Sequence, residues 1–335
     1  MVPLRSVAVD EEACARVASR LSGLKVRKPE PIGLAGELGR ETALRVLFFF
    51  STINHDTRGL RGTIRGRLVR GSEYLLHLLL EMARQDPSAL EPARLAELTL
   101  LDFLSWFGEL GKAVYPRRPA ERVELLRDAA RRLLALYGGR VEALLEACGG
   151  RLSGPGGLVK RLRAFRAFSD PLAKKTMVFA ILASLEGLWE PLDREAIRVG
   201  VDYHLQRVAL RTGMVRVLDE RLRAKLARRL FVSAEEHHAI RAACLKAYER
   251  VGELSGLSQL EVDQVFWHLG RSCCTLRQPA CELGGACERR APACSLREAL
   301  SLACGGRCLL SGACEGEWEA ELRRLAEPKV ITFYY

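Results

Sequence analysis

Two adjacent lysines, Lys174 and Lys175, are the residues best suited by type and position to covalent chemistry. The sequence holds only nine lysines, so an adjacent pair is unusual. The pair follows Asp170-Pro171, which predicts a helix over 172–184 with Asp170 as its capping residue. The positive end of the helix dipole, a neighbouring ammonium group and burial all favour a neutral lysine, which is a nucleophile. The alternative is a solvated pair without a chemical role.

A carboxylate at a second helix start could assist such a nucleophile. The pattern from Gly200 to Gly213 predicts a helix that Asp202 opens and Gly213 ends. A carboxylate at a helix N-terminus accepts backbone donors and stays ionised. An ionised carboxylate near an amine suits attack at a sugar C1′, where it stabilises the oxocarbenium-like transition state. Asp202 could instead serve only as a helix cap.

The cysteines are unevenly distributed. Three are scattered singly (Cys14, Cys148 and Cys244), and the other eight crowd together near the end of the sequence (Cys273, Cys274, Cys281, Cys287, Cys294, Cys304, Cys308 and Cys314). In a cytoplasmic protein such crowding indicates metal or iron-sulfur ligation, because thiols there are normally kept reduced. Disulfides remain open as an alternative, because the cytoplasm of hyperthermophiles is a known exception.

Composition limits the classes of protein to which the chain can belong. The 335 residues, 48% of them hydrophobic and 28% charged, are typical of a globular protein of one or two domains. The net charge of +11 favours a polyanionic partner such as nucleic acid or a phosphorylated ligand. The sequence shows neither a long apolar run nor a signal-peptide core, so we expect a soluble, cytoplasmic protein without membrane association.

The periodicity of apolar residues predicts an all-α fold. Apolar residues recur at helical spacing over 74–82 and over 123–137, where Gly138 follows as a stop signal. Only 330–334 resembles a strand. Proline and glycine clusters within 116–157 predict a break between two lobes. We therefore predict a helical domain over 1–270, followed by a cysteine-rich module and C-terminal tail over 271–335.

The lysine and aspartate motifs resemble those of a known superfamily. Lys175-Thr-Met-Val-Phe179, followed by Val201-Asp-Tyr-His-Leu-Gln-Arg207, is similar to the helix-hairpin-helix DNA glycosylases, and most similar to their archaeal 8-oxoguanine glycosylase branch. The resemblance implies that Lys175 attacks C1′ and forms a Schiff base, with Lys174 as the alternative nucleophile, and that Asp202 assists. The segment Phe168–Lys174 lacks the Gly-x-Gly of the usual hairpin.

What this resemblance implies about function is specific. The chain would be a monomeric DNA N-glycosylase of base excision repair that binds lesion-bearing double-stranded DNA and removes a damaged base, an oxidised purine by similarity. An AP lyase activity through the Lys175 imine would accompany base removal.

The cysteine-rich segment carries a second resemblance. Gly270-Arg-Ser-Cys-Cys-Thr-Leu-Arg-Gln-Pro-Ala-Cys281 and Cys308-Leu-Leu-Ser-Gly-Ala-Cys314 are similar to the two halves of the iron-sulfur loop of endonuclease III and the adenine glycosylases. The resemblance implies a 4Fe-4S cluster held by Cys274, Cys281, Cys308 and Cys314, with Cys304 as the substitute for Cys281. The residues between the halves form an insertion that carries Cys287, Cys294 and Cys304. Zinc is the alternative metal for these cysteines.

Two further groups of residues are weaker candidates. A base pocket could be formed by aromatic and polar side chains that follow an apolar run (Phe50, Asn54, His55, Asp56 and Trp106). Phosphate contacts could come from a basic run and from the Asp202 helix (Arg58, Arg61, Arg65, Arg207 and Arg211). The alternative is a core helix end followed by a solvated basic loop, with Trp106 in the core.

Two rival functions remain open. Phe165–Asp170, the lysine pair, Val201–Tyr203 and Asp263–Trp267 also resemble the queuosine salvage proteins, which cleave a modified nucleotide and share the helical fold. That similarity runs loosely over residues 40–270 and also makes Asp202 the key carboxylate. The third hypothesis is a non-catalytic DNA-binding protein that keeps the fold and the cluster.

Overall fold

The computed structural model describes residues 6–108, 114–283, 294–300 and 307–335. Helices contain 57% of the residues and strands 6%, which confirms a mainly α-helical class. The chain packs into two compact units. We call Glu30–Ile197 with Thr332–Tyr335 the lysine unit, and Met1–Pro29 with Arg198–Ile331 the cysteine unit. Packing thus divides the chain differently from the motif-based division at residue 270.

The lysine unit consists of nine helices and one β-hairpin in its described residues. They are α2 (Leu34–Leu38), α3 (Arg40–Ile53), β2 (Arg61–Ile64), β3 (Arg67–Arg70), α4 (Gly71–Gln85), α5 (Pro92–Leu95), α6 (Leu100–Gly108), α7 (Pro119–Tyr137), α8 (Val141–Ala147), α9 (Leu158–Leu162) and α10 (Lys174–Leu185). The antiparallel pair β2–β3 forms the hairpin.

The core of the lysine unit is built around α3, which is buried along most of its length. The ring of Phe48 contacts four other phenylalanine rings, two from α3 and α10 and two from the segment before α10. The predicted apolar faces of α4 and α7 pack into this core, and Gly138 ends α7 with φ 59°, as expected for a glycine stop. This packing fixes the C-terminal end of α3 inside the unit.

The cysteine unit combines helices with a two-stranded sheet. In the described residues its elements are β1 (Val7–Val9), α1 (Glu11–Leu21), α11 (Tyr203–Thr212), β4 (Val215–Val217), α12 (Glu220–Ala227), α13 (Ala234–Ser255), α14 (Gln259–Ser272), α15 (Ser295–Ala299) and α16 (Ala320–Arg324). Strands β1 and β4 pair antiparallel. Capping boxes start α13 at Ser233 and α14 at Ser258, so these two long helices have defined N-termini.

Several expectations need correction. The described residues include four short strands beside the helices, an amount compatible with the predicted all-α class, and 330–334 forms no strand. Helix α10 begins at Lys174 rather than Leu172, because Ala173 adopts a left-handed conformation with φ 55°. Asp170 still accepts the backbone N–H groups of Leu172 and Lys174, at 3.1 and 3.0 Å. Within the described residues, no helix has both the length and the apolar composition to cross a bilayer.

Candidate functional site

Lys175 lies in the first turn of α10, inside the lysine unit, with 1% of its surface exposed. Its Nζ donates a hydrogen bond to the carbonyl oxygen of Thr52 at 2.5 Å. The Nδ1 atom of His55 lies 3.4 Å from the same Nζ. Thr52 belongs to the last turn of α3, so the amine sits at the carbonyl end of that helix.

The surroundings of Lys175 favour its neutral form. Burial holds its pKa well below the usual 10.5, and the charges of Lys174 and Arg122 lower it further, while Glu121 and Asp170 act in the opposite direction. A lysine that is neutral near neutral pH has a free electron pair on Nζ and can act as a nucleophile. Burial and the two neighbouring charges thus shift the pKa of Lys175 in the direction that the sequence predicted for this pair.

A buried arginine organises the backbone around the amine. Arg122, on α7, donates to the carbonyl oxygens of Ile53 and His55, and a third contact at 3.4 Å reaches the carbonyl oxygen of Asp56. Burial lowers the pKa of Arg122 to about 10. This guanidinium fixes the chain that leaves α3 and places a positive charge near Nζ. The sequence pattern gave no indication of its role, because Arg122 is one of many charged residues on α7.

His55 connects the amine to a carboxylate. Its Nε2 lies 3.1 Å from Oε1 of Glu121, although the angle falls outside hydrogen-bond geometry. Burial lowers the pKa of His55 well below 6.5, and the charge of Arg122 lowers it further. The nearby carboxylate favours a proton on Nε2, which leaves the electron pair of Nδ1 facing Lys175.

The segment Thr332–Tyr335 packs beside this amine. The ring centroid of Phe333 lies 5.9 Å from Lys175 Nζ. The carbonyl oxygen of Tyr335 accepts the backbone N–H of Asp56 at 3.2 Å, and the carbonyl oxygen of Thr332 accepts a hydrogen bond from Arg118 at 2.6 Å. The sequence suggested a strand here, and its aromatic residues instead cover one side of the Lys175 site.

The predicted base-pocket residues are only partly brought together. Asn54, His55 and Asp56 form the turn after α3, next to Lys175, where the first two are buried and Asp56 is half-buried. Phe50 is a core residue of α3, and Trp106 lies on α6 against Phe103, with ring centroids 5.1 Å apart. The turn is thus the part of the predicted pocket that shares a site with the lysine.

Asp202 is the N-cap of α11 in the cysteine unit, as predicted. Its Oδ1 accepts the backbone N–H groups of His204 and Leu205, at 2.7 and 3.1 Å. Asp263 holds the segment before it by accepting the N–H of Gly200 at 2.7 Å. Gly213 ends the helix with φ 83°. The Asp202 carboxylate, 6% exposed, is therefore fixed by two backbone donors at the start of α11.

Five cysteines of the cysteine unit line one small cavity: Cys273, Cys274, Cys281, Cys308 and Cys314. Four of them are the ligands that the resemblance predicts. Burial raises the pKa of the Cys314 thiol to about 12 and also raises the pKa of the Cys308 thiol, and the other predicted ligands add to both effects. The four thiols thus lie close together in space.

Short structural elements hold these cysteines in place. Cys273 is the C-cap of α14, and Cys274 donates its N–H to the carbonyl oxygen of Leu269 at 2.7 Å. Cys281 lies in a 3-10 helix over Ala280–Leu283. Cys308 and Cys314 bracket a pair of turns, where the N–H of Cys314 contacts the carbonyl oxygen of Leu310 at 3.0 Å. Besides apolar residues, the remaining cavity wall contains five polar or charged ones: Arg211, Thr212, Ser311, Glu317 and Arg323.

The other cysteines of the module are not part of this cavity or lie beyond the described residues. Cys294 is buried at the start of α15 and does not line the cavity. Cys287 and Cys304 lie outside the described residues. The nine cysteines that the structure describes are all free thiols. In the same part of the chain, no group of three or more His, Cys, Asp or Glu side chains is placed to hold a single metal ion.

Arg207 and Arg211, predicted to contact DNA phosphates, are buried in the cysteine unit with 2% and 3% of their surfaces exposed. Arg207 donates to the carbonyl oxygens of Cys274 and Gly270 and to the carboxylate of Glu327, at 2.6–2.7 Å. Their guanidinium groups are occupied inside the fold, so we assign these two arginines to the support of the cysteine loop instead of to DNA.

Arg211 contacts the sulfur atom of one of the predicted ligands. Its Nη1 lies 3.5 Å from Sγ of Cys274 and donates to the carbonyl oxygen of Thr275 at 2.7 Å. It also donates to the carbonyl oxygens of Leu276 and Leu325. Arg207 and Arg211 are one turn apart on α11, so the helix that Asp202 opens also carries the side chains that fix the Cys274 loop.

The other predicted phosphate contacts lie on the surface of the lysine unit. Arg58 pairs with Asp56 at 3.0 Å, and Arg65 pairs with Glu81 at 2.9 Å. Arg61 is exposed on β2. No family model matches the sequence, and no curated protein matches it. The functional argument therefore depends on the residues themselves.

Proposed function

We propose that the chain is a DNA N-glycosylase with AP lyase activity, which removes a damaged base, an oxidised purine by similarity, from double-stranded DNA in base excision repair. The observation that carries the proposal is the buried amine of Lys175, held by Thr52 among charges that favour its neutral form. Burial of an amine in its neutral form lowers the stability of the fold. A lysine with a purely structural role would not need to be placed at such a cost. This combination is the arrangement that an amine nucleophile requires.

In the proposed reaction, the electron pair of Lys175 Nζ forms a bond to C1′ of the damaged nucleotide. The bond from C1′ to the base breaks, and the base leaves with the bonding electron pair and takes up the proton that Nζ gives up by way of His55. Nδ1 of His55, 3.4 Å from Nζ, is within reach to receive the proton that Nζ then loses. The ring then opens as the remaining Nζ proton passes to O4′, which gives an imine. Loss of a C2′ proton to solvent breaks the C3′–O bond and expels the 3′ phosphate, and water hydrolyses the imine to release Lys175.

Asp202 is assigned to the stabilisation of positive charge at the sugar. Two backbone N–H groups of α11 hold its carboxylate in place. A carboxylate that is already ionised and fixed needs little reorganisation when an oxocarbenium-like transition state develops. Its contribution should therefore appear in turnover more than in binding.

Four cysteines would hold a 4Fe-4S cluster: Cys274, Cys281, Cys308 and Cys314. Their common cavity, its partly apolar wall and the guanidinium of Arg211 beside Cys274 fit a group that bonds each thiolate to a different iron and carries negative charge. Such a cluster, when bound, would supply a rigid cross-link between 274–281 and 308–314. Arg207 and Arg211 already fix the first half of this loop from α11.

The access of DNA to Lys175 depends on the segment Thr332–Tyr335. Nζ is buried, and Phe333 covers one side of it. Attack at C1′ requires that the sugar approach Nζ closely, so we expect this segment to move when substrate binds.

The test is a cleavage assay over a panel of lesion-bearing duplexes, with a queuosine nucleotide in parallel. Excision from a duplex, with a covalent complex trapped by borohydride, supports the proposal. Cleavage of the queuosine nucleotide alone would favour a salvage enzyme. Duplex binding without cleavage of any substrate would favour a non-catalytic DNA-binding protein.

A further inference from the structure

The β2–β3 hairpin presents an outer face of unusual composition. In its register, Arg61 lies directly opposite Arg70, and Thr63 lies directly opposite Leu68. All four side chains are exposed, and Leu68 is 57% exposed. Two like charges on directly opposite positions destabilise a strand pair, and an exposed leucine beside them gains nothing from burial. This face therefore lowers the stability of the free protein.

The inner face of the same hairpin packs closely against α4. A Cβ atom at Gly62 would lie 2.3 Å from the ring of Tyr74 on α4, so a glycine is needed for this close approach. Arg65 and Gly66 close the turn with φ 48° and 77°, as the preferred two-residue hairpin turns require. The outer face is therefore presented on a fixed support.

The charges of the hairpin are mostly unpaired. Within the part of the chain that the structure describes, Arg61, Arg67 and Arg70 form no ion pair, and Arg65 pairs with Glu81 on α4. In the described part of the chain, Leu68 thus lies among arginines that have no acidic partner.

We propose that this outer face enters the minor groove of duplex DNA, with Arg61 and Arg70 on backbone phosphates and Leu68 inserted between base pairs. Phosphates are the anions that would relieve the repulsion between the two opposite arginines. An apolar wedge flanked by arginines is the combination by which proteins unstack base pairs from the minor groove. The inference deepens the proposed function and rests on it, because a base that is extruded for cleavage leaves a gap in the stack.

The chemistry of the face favours DNA over an anionic membrane. A membrane-surface element needs a broad apolar face, whereas Leu68 is a single apolar side chain on the outer face of a narrow two-stranded ribbon. A ribbon of this kind can follow a groove, and its arginines would then lie along the two phosphate backbones.

The experiment uses the full chain and a duplex that contains a tetrahydrofuran abasic-site analogue beside 2-aminopurine. The analogue lacks a base and a reactive C1′, so binding and unstacking are measured without chemistry. Fluorescence anisotropy gives the affinity and its salt dependence, and 2-aminopurine fluorescence reports unstacking. Wild type should bind and raise the 2-aminopurine fluorescence several-fold.

The hairpin variants should separate insertion from charge. Leu68→Ala should abolish most of the fluorescence rise while the affinity falls by less than about tenfold. Arg61→Gln and Arg70→Gln should each reduce the slope of log K against log salt by about one. The matched controls are Leu101→Ala, which removes a leucine that is 78% exposed on α6, and Arg132→Gln on α7, whose guanidinium already pairs with Asp128. Both controls should behave as wild type.

Two outcomes overturn the inference in distinguishable ways. Failure of wild type to bind any duplex would remove the proposed function and the inference together. Duplex binding with an unchanged fluorescence rise in Leu68→Ala would overturn the hairpin's role and leave the proposed function intact. The same holds if the hairpin variants lose binding to phosphatidylserine vesicles but keep the wild-type response to DNA, because the face would then serve a membrane.

Discussion

The Nζ atom of Lys175 is held by a backbone oxygen, the carbonyl of Thr52, and not by a carboxylate. A neutral amine has two N–H donors and one electron pair, so it can donate to this oxygen and keep the electron pair free. A carboxylate in the same place would favour the ammonium form and would remove the nucleophile. The contact thus positions the amine, while burial and the charges of Lys174 and Arg122 favour its neutral state.

The first prediction concerns the identity of the nucleophile. Lys175→Ala should abolish the borohydride-trapped complex with DNA and lower base excision by about 10³-fold or more, because no other group replaces the attacking electron pair. Lys174→Ala and Lys160→Ala should still trap. Trapping by Lys175→Ala that disappears in Lys174→Ala would assign the role to the neighbouring lysine. The measurement is gel detection of the covalent complex, with circular dichroism as the control for folding.

The second prediction concerns the stability cost of the same amine. The pKa of Lys175 is lowered in the folded state, so below about pH 10 the unfolded chain binds a proton that the folded chain does not. Unfolding is therefore favoured as pH falls, by up to about 1.4 kcal/mol per pH unit until the folded pKa is reached. Lys175→Met should raise the melting temperature relative to wild type, and by more at pH 8 than at pH 10.

The controls for this stability prediction follow from the groups that face the amine. Lys174, Arg122, Glu121 and Asp170 act on the amine, and His55 lies 3.4 Å from it. Burial lowers the pKa of Arg122 to about 10, so Arg122 also loses charge toward pH 10, but this loss occurs in wild type and in Lys175→Met alike and is removed by comparing the two. Lys160→Met removes an exposed lysine of α9 and should change the melting temperature equally little at both pH values. An equal difference between Lys175→Met and wild type at pH 8 and pH 10 would contradict a neutral Lys175.

Residues at helix ends could be predicted from the sequence, and contacts between distant segments could not. Asp202 and Gly213 mark the two ends of α11 because capping and left-handed glycine are local effects. The start of α10 was misplaced because Ala173 adopts a left-handed conformation that alanine seldom adopts. The contact of Lys175 with His55 spans 120 positions in sequence, and no periodicity reports it.

Basic residues were the least predictable part of the site. Arg207 and Arg211 lie on a helix that also carries polar residues, and only the fold shows that their guanidinium groups point inward to carbonyl oxygens. The sequence left the arginine run over 58–70 open between phosphate contacts and a solvated basic loop, and the structure forms the β2–β3 hairpin there. The strand pattern is unclear because Arg67 lies opposite Ile64 on the inner face and the apolar Leu68 lies on the outer face. Nothing in the sequence indicated a role for Glu121 or Arg122 in the site, because their partners come from α3 and the turn after it.

The third prediction separates the charge of Asp202 from its role as a helix cap. Asparagine caps helices as well as aspartate does, so Asp202→Asn should keep the melting temperature while turnover falls by about 10²-fold or more. Asp202→Ala should lose turnover and also about 1 kcal/mol of stability, because the N–H groups of His204 and Leu205 lose their acceptor. Single-turnover kinetics and thermal unfolding test this. Wild-type turnover by Asp202→Asn would leave the carboxylate as a cap only.

The fourth prediction concerns the segment Thr332–Tyr335. If Phe333 must move before a sugar reaches Lys175, Phe333→Ala should speed borohydride trapping of abasic-site DNA several-fold, because less contact is lost on displacement. Tyr334→Ala serves as the matched change in the same segment and should have a smaller effect. A slower reaction in Phe333→Ala would instead indicate that the ring helps to hold the substrate.

The last prediction concerns the cysteine cavity. Anaerobically purified protein should absorb near 400 nm, roughly as thiolate-bound iron-sulfur clusters do, and contain about four irons per chain. Cys274→Ala or Cys314→Ala should lose the iron, together with solubility and DNA binding, because the cross-link between the two loop halves is lost. Cys294→Ala should keep the iron, because Cys294 does not line the cavity.

Arg211→Met should lower the iron content, and Arg211→Lys should not restore it, because one ammonium group cannot replace donors to Cys274, Thr275 and Leu276 together. About eight irons would mean two clusters, and stoichiometric zinc without iron would refute the iron-sulfur assignment.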